Sequence, residues 1–271
     1  MKNSMILASM AVLALVSCGQ KKTADQSPKS LVLYYSQTST TRTVAELIQA
    51  KTGADIAEIT VVEPYGDFQE TIDRGMKEVQ SGNLPELNEI MVNISDYDII
   101  YLGYPIWYGT VANPILSLLK TEKFAGKKVV PFCTFGSGGS QTSRAYLESV
   151  LTKAELYPCY GVRQARVDKA SAELDRFLIE TGLIEGEVVA LPGYTEMQPC
   201  TPEEAAIFDA AISTYPMLVG ATASTVGART TPEGTDYIFS SGEEGKPGFM
   251  HVLVTVPNGD GSVPEFTEVL R

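Results

Sequence analysis

Three short segments carry the residues best suited to chemistry. The first is Ser36-Gln37-Thr38-Ser39-Thr40-Thr41, where Ser36, Thr38, Ser39, Thr40 and Thr41 all bear hydroxyls. Hydroxyls donate hydrogen bonds to phosphate oxygens. The loop follows a short apolar run, Leu31 to Tyr35, and precedes helical spacing at Val44, Ala45, Leu47 and Ile48. A helix start has backbone N–H groups without internal partners and the positive end of a dipole, so it suits an anion. Ser and Thr are equally common in plain turns and N-caps, so this loop alone does not separate the two readings. The second segment, Tyr104-Pro105-Ile106-Trp107-Tyr108-Gly109, holds the chain's single Trp. The third, Gly136-Ser137-Gly138-Gly139-Ser140, has glycines that let backbone approach a flat ligand closely. Each has a bland reading, a core Trp or an ordinary turn. Together they offer an anion cradle, an aromatic wall and a thin backbone edge, which suits a planar aromatic phosphate ester.

Other chemistries are poorly served. The one His, His251, lies far from these segments, and no Ser, His and Asp are spaced as a triad, so no side-chain nucleophile is expected. A His-based metal cluster is excluded by that count. Cys18, Cys133, Cys159 and Cys200 show no CxxC spacing, which disfavours zinc and iron–sulfur binding. The formal net charge of -12 argues against nucleic-acid binding. With 271 residues, 44% of them apolar, the chain has material for one or two domains with real cores.

Residues 1–17 read as an export signal. A minimal positive start precedes an apolar run from Met5 to Val16, too short to span a bilayer. The Leu15-Val16-Ser17-Cys18-Gly19 ending resembles a bacterial lipobox, which implies lipidation at Cys18, a polar tether over residues 18–29 and a place on a bacterial membrane in the cell envelope. Acyl chains contribute roughly 0.8 kcal/mol per buried methylene, enough for several to hold a protein firmly.

From residue 30 to 184 strand-like and helical patterns alternate. Strands are predicted at Leu31–Tyr35, Asp55–Val62, Tyr97–Gly103, Lys128–Phe135 and Glu155–Val162. Helices are predicted at Thr41–Thr52, Asp67–Gln80, Val111–Leu119, Thr142–Thr152 and Lys169–Thr181. Five of each in alternation imply a doubly wound parallel sheet with right-handed crossovers. Ligands of such sheets bind beyond the C-terminal ends of the strands, where all three segments fall.

Residues 30–184 resemble the flavodoxin-like family through YYSQTSTTRTVAELI, YDIIYLGYPIWYGTVANPI and VVPFCTFGSGGS. The resemblance implies an α/β fold of strand order 2-1-3-4-5 and noncovalent FMN. By motif, Ser36, Thr38, Ser39, Thr40 and Thr41 would cradle the phosphate. Pro105, Ile106, Trp107, Tyr108 and Gly109 would line the isoalloxazine ring. Thr134, Phe135, Gly136, Ser137, Gly138 and Gly139 would edge it from the other side. Stacking and nearby negative charge would keep the flavin potential low. The family loop usually has Gly-Asn where this chain has Ser39-Thr40; if Ser39 must take a positive φ, that is costlier than for Gly.

Residues 185–271 are too many for a tail. Glu185 to Gln198 reads as a linker or first strand. Thr201-Pro202-Glu203-Glu204 is a helix start with a capping-box Glu, and Pro216 ends that helix. Alternating segments follow at Val219–Val226, Asp236–Ser241, His251–Pro257 and Glu265–Leu270, joined by hairpin-like connectors. One helix and a meander make a small α+β domain that resembles the cystatin-like fold. Pro232 and Glu233 alter the place of its protease-binding hairpin, so inhibition is not expected. His251 is expected to face solvent from a strand. Cys159 and Cys200 are candidates for a bridge between the domains. The functional expectation is a lipid-anchored FMN protein, either an electron carrier with an unidentified redox partner or an oxidoreductase. The alternative is a flavin-free scaffold that uses its second domain to bind a partner.

Overall fold

The computed structural model describes residues 28–121, 124–213 and 215–270. The leader, Cys18 and most of the tether lie outside these residues.

The first sheet contains β1 (Ser30–Tyr34), β2 (Asp55–Glu58), β3 (Ile99–Trp107), β4 (Thr110–Val111), β5 (Lys128–Phe135), β6 (Glu155–Leu156) and β7 (Tyr160–Arg163). All pairings are parallel except the short β3–β4 hairpin, and the order is β2-β1-β3-β5, with both β6 and β7 on β5. β6 and β7 are two pieces of one predicted strand, so the order is the expected 2-1-3-4-5. The break falls at Tyr157-Pro158-Cys159, where Pro158 has no N–H to give a ladder.

Side chains alternate along each strand, and both faces of this sheet are covered. Leu31, Leu33, Ile100, Leu102 and Cys133 pack on one face, beside Ile115 and Leu118 of α3 (Asn113–Thr121) and Leu147 of α4 (Ser140–Val150). Val32, Tyr101, Val130 and Phe132 pack on the other, beside Val44 and Ile48 of α1 (Thr40–Thr52) and Leu174 and Leu178 of α5 (Ala170–Glu180). Each fully buried aliphatic side chain contributes about 1.5–3 kcal/mol, which is what drives apolar strands into the centre. α2 (Phe68–Ser81) begins with the reciprocal capping box of Asp67 and Glu70.

A separate antiparallel sheet follows, in the order β12-β11-β10-β9-β8. Its strands are β8 (Gln198–Pro199), β9 (Ala223–Thr231), β10 (Gly234–Ser241), β11 (Met250–Pro257) and β12 (Glu265–Leu270). α6 (Pro202–Ile212), with the predicted Thr201–Glu204 capping box, lays Phe208, Ala211 and Ile212 onto Val226, Phe239, Val252 and Phe266. The strand expected at Val219–Val226 starts later and runs further, since Pro216–Leu218 coil into a 3-10 turn and Val219 stays exposed.

Candidate functional site

β1, β3 and β5 run parallel, so the three chemically suggestive loops leave the sheet at the same edge. The first loop is fastened to the end of β5 by a buried hydrogen bond between the hydroxyls of Thr41 and Thr134, 2.8 Å apart. Ser39 sits at the helix N-cap with φ 64°, in the left-handed region, and makes no side-chain cap. The Arg42 N–H donates to Ser36 Oγ at 3.2 Å, and the hydroxyls of Thr38 and Thr40 lie 3.3 Å apart on the exposed side. The first turn holds no acidic residue. These features leave a helix start open to an anion. The Arg42 side chain points elsewhere, to the Glu58 carboxylate at 2.7 and 2.8 Å.

Tyr108 (φ 51°) and Gly109 (φ 79°) turn the second loop back into β4, and the Tyr108 hydroxyl donates to the Ile72 carbonyl at 2.7 Å. Thr110, next along, buries its Oγ1 without a hydrogen-bond partner. Trp107 stands edge-on to Tyr35 and Tyr65, with ring centroids 5.8 and 4.9 Å away. Burial pushes both tyrosine hydroxyls well above their ordinary range, and Tyr65 donates to the Glu78 carboxylate at 2.6 Å.

The third loop lies directly against the second. A Cβ on Gly139 would come within 2.7 Å of the Ile106 side chain. Beside the two loops lies a cavity of about 320 Å³, lined by Ile106, Tyr108 and Gly109 on one side and Phe135, Gly136, Ser137, Gly138 and Gly139 on the other. That volume is within the range of small-molecule sites, about 300–1,000 Å³. Trp107 is absent from its lining, as are Pro105, half-buried at the end of β3, and Thr134, buried below. Ser36, Thr38, Ser39, Thr40 and Thr41 surround the α1 start instead. A larger cavity of about 720 Å³ lies between α5 and the second sheet, where three of the lining arginines are paired with carboxylates: Arg166 with Glu173 and Glu265, Arg176 with Glu233, Arg229 with Asp236.

Reading the sequence missed residues of the second domain that reach this rim. Tyr215, Glu268, Val269 and Leu270 line the smaller cavity together with Gln141 and Thr142 of α4. The Val269 N–H donates to the Ser137 carbonyl at 2.7 Å. The Glu268 carboxylate accepts hydrogen bonds from the Ser140 N–H and Oγ at the start of α4. Burial raises its pKa above the ordinary 4.5, against the pull of those hydrogen bonds. Arg163 donates to the Gly136 carbonyl at 2.8 Å and the Phe266 carbonyl at 2.7 Å, with its guanidinium 4.0 Å from the Phe266 ring centroid. Burial lowers its pKa. Most of these bonds use backbone groups, which have no sequence signature.

Two expectations are corrected. Cys159 lies 3.7 Å from Cys133, not beside Cys200, which packs against the second core; all three are free thiols. Cys133 is fully buried, as expected of a small apolar residue, and its thiol is pushed up. His251 is half-buried rather than solvent-facing, with Nδ1 3.2 Å from Ser240 Oγ. Ser240 is itself buried, which keeps that pair from meeting a substrate. Among the described residues no group of His, Cys, Asp and Glu is placed to hold a metal, and no helix is long and apolar enough to cross a membrane.

Several solved structures are similar to part of this chain. A solved structure from Bacteroides uniformis, described as a flavoprotein, is 26% identical with a TM-score of 0.50, over 55% of this chain and 99% of its own. A second from Bacteroides eggerthii, also described as a flavoprotein, is 28% identical with a TM-score of 0.47, over 55% and 98%. A flavoprotein of Lactobacillus acidophilus, solved in complex with FMN, is 26% identical with a TM-score of 0.46, over 54% and 99%. No curated protein matches the chain. The flavodoxin family model matches residues 29–169, which is 141 of 271 positions, and this protein therefore belongs to the flavodoxin family.

Proposed function

We propose that this protein is an FMN-binding flavoprotein, held at a bacterial membrane by lipid on Cys18, that works in electron transfer or flavin-dependent oxidoreduction. One observation carries the reading. The Thr41–Thr134 hydrogen bond ties the hydroxyl loop to the strand that feeds the Gly-rich loop, so an anion site and a flat cavity share one rim.

The residues present fit FMN. The uncapped start of α1, with the hydroxyls of Ser36, Thr38, Ser39, Thr40 and Thr41, offers donors to a phosphate dianion. Gly138 and Gly139 let the third loop lie close against Val269 and Ile106, where a Cβ would clash, and so bring its backbone to the edge of the cavity. Bound flavin would supply the redox chemistry. The chain would bind the phosphate, hold the ring edge between the loops containing Ile106–Gly109 and Phe135–Gly139, and shield one side from water. The net charge of -12 would disfavour added negative charge there and keep the potential low.

The chain purified with FMN and then desalted should retain flavin absorbance at about one equivalent. A colourless product would sink the reading in favour of a flavin-free scaffold. That second reading draws on the left-handed Ser39 and on the seating of β12 against Gly138. Anchoring has its own check: Cys18→Ser should move the protein from the membrane fraction to the soluble fraction. Continued membrane association would remove the lipid from the account.

A further inference from the structure

We propose that the second domain is the outer wall of the ring cavity, and that Tyr215 and Leu270 touch the flat ring held there. This rests on the FMN reading above and adds residues from a part of the chain that reading does not use.

Residues of both domains line the cavity. Tyr215 faces the Gly-rich loop: its hydroxyl lies 3.8 Å from the position a Cβ on Gly136 would take. Its ring packs on Phe266 with centroids 5.3 Å apart, which fixes its angle. Leu270, the last described residue, follows directly on the bond from the Val269 N–H to Ser137.

The wall is pinned. A Cβ on Gly138 would meet the Val269 carbonyl oxygen at 2.1 Å, so the strand lies flat on the loop at a residue that only glycine accommodates. Arg163 holds Gly136 and Phe266 at once. Glu268, the one charged residue lining the cavity among the described residues, is bound by the N–H and hydroxyl of Ser140 at the α4 N-terminus, which takes up much of its charge. The rest of the lining sets apolar and aromatic Ile106, Phe135, Tyr215, Val269 and Leu270 beside the polar side chains of Ser137, Gln141 and Thr142, a mixed surface suited to a flat ring with a hydrogen-bonding edge. The Bacteroides uniformis structure is matched over 99% of its length by 55% of this chain, so it has no counterpart of this wall.

The test is calorimetric titration of FMN into the apo full-length chain and three variants, with thermal melts to confirm folding. Filling the cavity by Leu270→Trp should weaken FMN binding about tenfold or more, the usual scale of overpacking. Tyr215→Ala should weaken it about three- to tenfold by removing an aromatic contact, while Tyr215→Phe should bind as the parent does. Should the parent and all three variants bind alike, the wall is wrong and the flavin reading stands. Failure of the parent itself to bind FMN would overturn both.

Discussion

Ser39 is the residue where local conformation and ligand chemistry meet. Its φ of 64° costs an ordinary L-residue about 1–2 kcal/mol relative to the right-handed region. Glycine removes that cost but adds about 0.4–1 kcal/mol of unfolded-chain entropy. Ser39→Gly should therefore stabilise the chain by about 0.5–1 kcal/mol in urea unfolding, and FMN should bind at least as tightly. An unchanged or lowered midpoint would mean that something other than strain decides this position. The hydroxyl loop was readable from residue types because its chemistry is carried by side chains. Trp107 was readable as an aromatic near the rim, but not its setting: the turn at Tyr108 and Gly109 and the edge-on packing of the indole on Tyr35 and Tyr65 have no residue-type signature.

Elements with continuous apolar centres were the most legible. Ile99–Trp107 and Lys128–Phe135 are buried on both faces, and nothing but a central parallel strand satisfies that pattern. Short or interrupted elements were not. β4 is two residues long and exists only because Tyr108 and Gly109 take positive φ. The last parallel strand divides at Pro158, whose lost N–H outweighs the apolar run around it. The placement of Cys159 beside Cys133 follows from β7 lying on β5, a register that spacing alone does not reveal. In the second sheet, α6 was legible from its capping box and apolar face, while β8 reduces to two edge residues in a segment that otherwise makes no regular element.

At the scale of the molecule, the seam between domains has its own dependence on acidity. Burial raises the Glu268 pKa above 4.5 in the folded state, while the unfolded chain keeps the ordinary value. A raised carboxyl contributes stability that is full below the unfolded pKa and is lost as pH rises through the folded one. The native protein should thus lose stability as pH rises above about 4.5, relative to Glu268→Gln, which carries no titrating group there. Melting temperatures of the two measured across that window check this, and parallel curves would show that Glu268 does not titrate differently on folding. The seam also has a temporal consequence. Ser140 and Glu268 are bonded across 128 positions, so this side of the rim stays open until β12 has been made. Any molecule enclosed by both walls is therefore taken up only after β12 has been made.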